Sequence, residues 1–483
     1  MEIKHEKTKE VLKWFEEIAK IPRCSKKETQ ICNWLMNWAK QNNFEAKKDK
    51  LGNIVIKVPA TSGYEKSKPV VLQGHVDMVC EKTPDSNHDF DKDPIKFIYE
   101  GEWLRADKTT LGADNGIAIA MAQALALSKD VAHPPLELLF TVDEETGLTG
   151  ATGLEPGFID GKILLNLDSE DEGYLTVGCA GGVNTAISLG LDFENIPANM
   201  NFFTIKASGM KGGHSGVDIN KQKANAIVVL ARSLRELASK ANFQLSDFKG
   251  GTAHNAIPRD AQATICMSGD DYDKICTELK NFEKILKAEF RTIDPDLTLI
   301  MTEEKKSTER VLTKNATAKV INLLLALPHG VAAMSTDIAN LVETSSNLAN
   351  VKIDNGHLKI ISSQRSSRAS RLNAHTAKIE AVAGLCGAEA KTGDGYPAWA
   401  PNMNSPLLKK CAQTYENLFK KKPVIDVIHA GLECGIIGSK YKGMDMISFG
   451  PTIKFPHSPD EKIHLGTVGQ VWDFLVEVLK ELK

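Results

Sequence analysis

Asp143-Glu144-Glu145-Thr146-Gly147 places three consecutive carboxylates directly after the apolar run Leu136 to Val142. Carboxylates leaving a buried strand lose hydration and repel one another, so a positive charge belongs beside them, and a metal ion is the obvious candidate. If one carboxylate holds the metal, its neighbour faces elsewhere and can take a proton from a metal-bound water, the division of labour that hydrolysis needs.

Other residues offer partners for this pair. In Gly74-His75-Val76-Asp77, residues two apart on a strand share a face, so Asp77 can stand behind His75 or behind its metal and orient the ligand or the catalytic carboxylate. Taken alone, His75 reads equally well as a satisfied core histidine. Asp114 precedes the Ala-rich stretch Gly116 to Leu127 and suits a helix N-cap, although a carboxylate there can also bridge two cations. Asp168 ends the apolar run Ile163 to Leu167, and His457 sits between Pro456 and Pro459, where restricted backbone positions an imidazole at little entropic cost. Two histidines with three carboxylates make a mixed nitrogen and oxygen donor set suited to zinc, manganese or cobalt, with open coordination. With one bridging carboxylate, two ions about 3.5 Å apart can hold a hydroxide between them and polarise a carbonyl.

Strands must deliver these groups to one place. Val70 to Leu72, Leu136 to Val142 and Ile163 to Leu167 are continuous apolar runs, and helices are expected around 6–20, 28–41 and 116–127. Strands alternating with helices predict a mixed, mainly parallel sheet flanked by helices, whose ligands gather beyond the strands' carboxyl ends. His75, the Glu144–Glu145 pair and Asp168 all stand at such ends. From about residue 184 to 390 the alternation continues without acidic strand ends, which predicts an inserted α+β domain of two similar lobes. The first pattern then returns, so residues 1–183 and 391–483 are expected to form one discontinuous metal-binding domain.

Composition narrows the partners. A net charge of -3 over 483 residues, with both signs interspersed, provides no basic face for nucleic acid and no polybasic block for a membrane. The charged, amphipathic N-terminus lacks a signal-peptide core and no apolar run is long enough to span a bilayer, so a cytoplasmic protein is expected. The nine cysteines are scattered and never spaced C-x-x-C, which argues against a disulfide framework or a thiolate zinc site.

In this order, GHVDMVCEK at 74–82, LGADNGIAIA at 111–120, DEETGLTGA at 143–151, NLDSEDEG at 166–173, GGHSG at 212–216, HAGLECG at 429–435 and PHSPDE at 456–461 resemble the di-zinc metallopeptidase superfamily of carnosinases, glutamate carboxypeptidases and aminoacylases. The resemblance covers essentially the whole chain. It implies a di-zinc exopeptidase-like catalytic domain that binds two divalent metals, Zn2+ first and Mn2+ or Co2+ as alternatives. His75, Asp114 and Asp168 would hold one ion, and Asp114, Glu145 and His457 the other. Asp77 would orient His75, and Glu144 would be the general base that deprotonates the bridging water and then protonates the leaving amine. The peptide after Asp114 is expected to be cis. The inserted domain would be a lid, its His214 stabilising the tetrahedral oxyanion. Asn255 and Arg365 resemble substrate-binding positions: Arg365 would clamp a terminal carboxylate, with Arg368 and Arg371 as competitors. The Gly431-Leu432-Glu433 turn, at the start of an expected helix, would also bind a terminus, either through Glu433 paired with a free amine or through the helix N-terminus holding a carboxylate.

The activity implied is hydrolysis of dipeptides with broad specificity, aminoacyl-histidine substrates included. Alternatives are deacylation of N-acyl amino acids and non-catalytic peptide binding. The lid is nearly twice as long as in the carboxypeptidase and aminoacylase branches, which leaves monomer and homodimer both open.

Overall fold

The computed structural model describes residues 5–305 and 310–483. The chain separates into two compact units: one of residues 1–179, 399–427 and 432–483, the other of 180–398 and 428–431. The sequence-predicted boundaries, 183/184 and 390/391, lie a few residues inside these.

An eight-stranded sheet runs through the first unit in the order Glu45–Lys48, Ile54–Val58, Leu136–Thr141, Val70–His75, Ile163–Asn166, Asp445–Ser448, Tyr174–Cys179 and Val424–Ile428. Its four central strands are mutually parallel, and Ile54–Val58 and Tyr174–Cys179 flank them antiparallel. Parallel strands are covered on both faces, which is why Val70–His75 and Leu136–Thr141 are buried at every residue and read as continuous apolar runs. Register sets the functional edge. Val70 pairs with both Leu136 and Ile163, so His75 comes level with Thr141, and Gln73 with Asn166. The segments that leave these strands carry His75 to Asp77, Asp143 to Glu145, and Asp168 at one end of the sheet.

Helix Ala113–Ala126 is rich in alanine and buried along nearly its whole length, packing closely on strand Val70–His75 and on helix Glu6–Ala19. Regular helical dihedrals begin only after Asn115, and the Asp114–Asn115 peptide is cis, as the resemblance implied. Helices Glu6–Ala19 and Leu465–Glu481 bury apolar stripes at helical spacing, Val11, Leu12, Phe15 and Ile18 in the first. Among the described residues no helix is long and apolar enough to cross a membrane.

The second unit is built on one extended sheet in the order Thr298–Glu304, Met200–Ser208, Ala261–Ser268, Phe243–Gly250, Val342–Asp354, His357–Ser366, Gly181–Gly190 and Glu389–Thr392, with Gly330–Met334 added beside Val342–Asp354. Both halves follow one plan. Met200–Ser208, helix Ala226–Ala238, Phe243–Gly250, Ala261–Ser268, helix Tyr272–Glu289 and Thr298–Glu304 form a βαββαβ unit with strand order 4-1-3-2. Gly181–Gly190, helix Lys314–Ala326, Val342–Asp354, His357–Ser366, helix Ala369–Leu385 and Glu389–Thr392 repeat that order. The first half is inserted after the first strand of the second. The halves join at Lys249 with Lys352 and Gly250 with Val351, and one continuous apolar core runs under both. The duplication is therefore topological, which is why no residue-level repeat marks it.

Cysteine usage differs from expectation. Cys24 and Cys80 form a disulfide across 56 residues, their Cα atoms 5.7 Å apart. Spacing carries no trace of it, because the pairing is set by the turn that brings Met78 against Arg23. Cys32, Cys179, Cys266, Cys411 and Cys434 are free and buried.

Candidate active site

At the carboxyl edge of the first unit's sheet, His75 Nε2 lies 3.1 Å from Asp114 Oδ1 and 3.5 Å from Asp168 Oδ1. His457 Nε2 lies 3.1 Å from Asp114 Oδ2 and 2.9 Å from Glu145 Oε2. Asp114 thus turns one oxygen to each histidine. Donor atoms of His75, Asp114 and Glu145 fall within 4.8 Å of one another.

Backbone bonds set these positions. Asp77 is fully buried and takes the N–H of Glu144 on Oδ1 at 3.0 Å, the N–H of Glu145 on Oδ2 at 3.2 Å, and the Ser25 hydroxyl on Oδ2 at 2.7 Å. Its Oδ1 also stands 3.2 Å from His75 Nδ1. One carboxylate therefore orients a histidine and anchors the start of the acidic turn. Asn115 accepts from the His75 N–H at 3.2 Å and donates to the Leu167 carbonyl at 2.9 Å, tying two strand ends together. Asp143 receives the hydroxyls of Thr146 and Thr149, and its N–H donates to Glu28 Oε1 at 3.0 Å. Glu28, Asp77 and Asp143 form a second buried acidic group, in which both oxygens of Asp77 and of Asp143 accept the bonds above and Glu28 Oε1 accepts the N–H groups of Lys26 and Asp143. They act as braces for the turn.

The charge balance calls for cations. Burial pushes the Glu144 carboxyl well above its usual range, with Asp168, Glu433 and Glu145 adding to the push against the pull of His75. Burial also raises Asp168 to about 6 and raises Glu145. Hydrogen bonds to Asp114 and Glu145 lift His457 to about 11, and although burial alone would lower His75, the surrounding Asp168, Asp114 and Asp77 hold it well above the ordinary imidazole value. Histidines this basic among carboxylates this hard to ionise are protons standing where positive charge belongs. Glu145 Oε1 is buried without a hydrogen-bond partner. These observations, and the mixed nitrogen and oxygen donors, fit divalent metal binding.

The remaining sequence-predicted residues are placed as follows. His214, Asn255, Arg365 and Gly431 belong to the second unit. His214 pairs with Ala256 in a short ladder, and its Nδ1 accepts the N–H groups of Gly216 and Val217, each at 3.2 Å. In the neutral ring the proton then sits on Nε2, making that atom a donor. Asn255 is exposed, and its carbonyl accepts the Ser215 N–H at 2.8 Å, so it belongs to the same turn. Arg365 is 7% exposed, its Nη1 donates to the Tyr396 hydroxyl at 2.6 Å, and its Nε has no partner. Arg368 pairs with Asp337 and Glu343, and Arg371 with Glu343. Among the described residues Arg365 forms no ion pair with a carboxylate. Gly431 packs on the Tyr396 ring, which a Cβ would approach to 2.9 Å.

Glu433 is fully buried in the first unit at the start of helix Glu433–Lys440, Oε2 accepting from Gln73 Nε2 and Thr141 Oγ1, each at 2.6 Å, while Oε1 is buried without a hydrogen-bond partner, and burial raises the carboxyl to about 7.

Ser25, Arg23 and Glu461 also support the site, with no signal of their own in the sequence. Buried Arg23 donates to the carbonyls of Val76 and Asp77, both at 3.0 Å, and the Glu461 carboxylate is ringed by backbone N–H groups. The one available signal was that Glu461 falls inside a motif already marked by a ligand.

Comparison with known proteins agrees with this architecture. The chain is 42% identical over 468 residues to the cytosol non-specific dipeptidase of Escherichia coli (strain K12), covering 97% of this chain and 96% of that one. The crystal structure of aminoacylhistidine dipeptidase from Vibrio alginolyticus superposes with a TM-score of 0.87 at 40% identity, covering 98% and 96% of the two chains. Aminopeptidase PepT from Bacillus cereus shares the fold at a TM-score of 0.58 and 17% identity, covering 98% of each chain. The model of peptidase family M20/M25/M40 matches residues 71–481, and the chain belongs to that family.

Proposed function

We propose that the protein is a cytoplasmic metal-dependent dipeptidase of broad specificity, aminoacyl-histidine dipeptides included. The observation that carries this reading is Asp114, whose two oxygens face His75 and His457 separately. His75, Asp114 and Asp168 would hold one divalent ion, and Asp114, Glu145 and His457 a second, with Zn2+ the first candidate and Mn2+ or Co2+ the alternatives. Bound there, the ions would polarise the scissile carbonyl and acidify the attacking water.

The chain's own residues do the rest. Glu144, its carboxyl raised well above the ordinary value by burial, is suited to take a proton from the nucleophile and return it to the leaving amine. Asp77 positions Glu144 through its backbone and His75 through its ring. His214, as Nε2 donor on the inserted lid, hydrogen-bonds the developing oxyanion. Arg365, buried and without a carboxylate partner among the described residues, receives the substrate's terminal carboxylate in preference to Arg368 and Arg371, which already have partners. Asn255 and Gly431 are the further substrate-binding residues of this proposal.

Activity on a panel of dipeptides, with N-acetylated and tripeptide controls, after chelation and add-back of zinc, manganese or cobalt, tests the proposal. Metal-dependent turnover confined to free dipeptides is expected. Hydrolysis of N-acyl amino acids in preference to dipeptides would reassign the protein as a deacylase.

A further inference from the structure

Glu461 lies on the turn that carries His457, and it is 2% exposed. Its Oε2 accepts the N–H groups of Leu111 and Gly112 at 2.7 and 2.9 Å, and its Oε1 those of Ala113 and Asp114 at 2.8 and 3.2 Å. Four successive N–H groups around one carboxylate fix the direction of the backbone that enters Asp114. From the other side, Arg23 donates to the Gly112 carbonyl and also to the carbonyls of Val76 and Asp77. Gly112 adopts a φ of 68°, and a Cβ there would overlap Arg23 and Met78. The segment 111–114 is therefore held between two buried, oppositely charged side chains.

We infer that Glu461 is a positioning residue for Asp114 that sets the affinity of the cation position formed by Asp114, Glu145 and His457. This rests on the ligand set proposed above. The effect falls on that position because two of its ligands depend on the same carboxylate: His457 through the turn they share, and Asp114 through its own N–H. Asp114 serves the other position too, but there its companions His75 and Asp168 leave the ends of buried parallel strands and are joined through Asn115, independently of Glu461. Glu461 works through the backbone, as groups behind a ligand do, and their removal costs about 10- to 100-fold in metal affinity.

The test counts bound ions directly. Full-length wild type, Glu461→Gln and Glu461→Asp are freed of metal and titrated with Co2+, followed by calorimetry and elemental analysis, with circular dichroism as the check on folding. An amide keeps one acceptor oxygen but turns an NH2 toward two N–H donors. Glu461→Gln is expected to retain one ion tightly and to bind the second at least about 10-fold more weakly. Its kcat on a dipeptide should follow second-site occupancy and recover at saturating metal, with KM little changed. Glu461→Asp, which keeps both oxygens and the charge on a shorter stem, should fall between the two. Binding of both ions with wild-type affinity by folded Glu461→Gln overturns the inference, as does an equal loss of both. If Glu461→Gln does not fold, wild-type affinity in Glu461→Asp overturns it. Wild type that takes up a single ion overturns the proposed ligand set itself, a different result from any change confined to the variants.

Discussion

Asp77 Oδ1 accepts the Glu144 backbone N–H at 3.0 Å while standing 3.2 Å from His75 Nδ1, so the orientation of one histidine and the placement of the proposed base depend on a single carboxylate. His75 holds Asp77 at about 2 against a burial effect of opposite sign. Replacing that carboxylate disturbs two groups, whereas replacing Glu144 disturbs one. Asp77→Asn is expected to weaken metal binding by about 10- to 100-fold as well as lowering kcat. Glu144→Gln is expected to keep its metal and lose turnover by about 10²-fold or more. Metal content measured beside kcat separates the two, and near-normal turnover in Glu144→Gln removes it as the base.

The buried guanidinium of Arg365, which forms no ion pair among the described residues, yields a second prediction. A lysine keeps the charge but loses the planar fork that grips a carboxylate. Arg365→Lys should raise KM for dipeptides by about 10- to 100-fold, the equivalent of one charge-assisted hydrogen bond of about 1.5–3 kcal/mol. Arg368→Lys, at an exposed residue already paired with Asp337 and Glu343, should change KM little. Steady-state kinetics on one dipeptide compares them, and equal effects would remove Arg365 as the carboxylate clamp.

Chelation should reduce stability as well as activity. Without cations, Asp114, Glu145 and Asp168 face one another in a buried site. An ion present at 100 times its Kd stabilises the folded chain by about 2.7 kcal/mol. Scanning calorimetry should show a lower Tm after chelation, restored by add-back; an unchanged Tm would count against tight metal binding.

Acid should destabilise the second unit through His429. Burial, then the charges of Arg365 and His214, lower this imidazole to about 3, and its Nε2 lies 2.7 Å from the Ser345 hydroxyl. The unfolded chain binds a proton below its ordinary value of about 6.5, while the folded chain resists until about 3. Stability is therefore complete above pH 6.5 and declines as pH falls from there toward 3. The loss amounts to about 2 kcal/mol by pH 5. Urea denaturation of wild type and His429→Gln between pH 7 and 5 reads it as a shallower slope in the variant; parallel slopes would assign the acid sensitivity elsewhere.

The groups legible in sequence are those at strand ends. His75, Glu144, Glu145 and Asp168 each follow a continuous apolar run, and such runs mark strands covered on both faces, whose carboxyl ends meet. Groups that hold backbone rather than metal were silent, because their partners are set by the fold: Glu461 finds its N–H donors about 350 residues earlier in the chain. The partners of Glu433, Gln73 and Thr141, were silent for the same reason, lying about 290 to 360 residues away. The Cys24–Cys80 link likewise depends on two turns meeting. The inserted domain was legible as two alternations of strand and helix but not as one sheet, because register between Phe243–Gly250 and Val342–Asp354 rests on two residue pairs.

The nesting of one βαββαβ half inside the other also dictates an order of assembly. Residues 200–304 contain every strand and helix of the inner half, so all of its elements are made before the later strands of the outer half. Strand Gly181–Gly190, made earlier, pairs with His357–Ser366 and Glu389–Thr392 and must wait for them. The first unit waits longer, because Asp445–Ser448 pairs between Ile163–Asn166 and Tyr174–Cys179. Synthesis thus completes the molecule from the inside outward. His457 is among the last of the proposed metal ligands to be made, so the centre assembles only once nearly the whole chain exists.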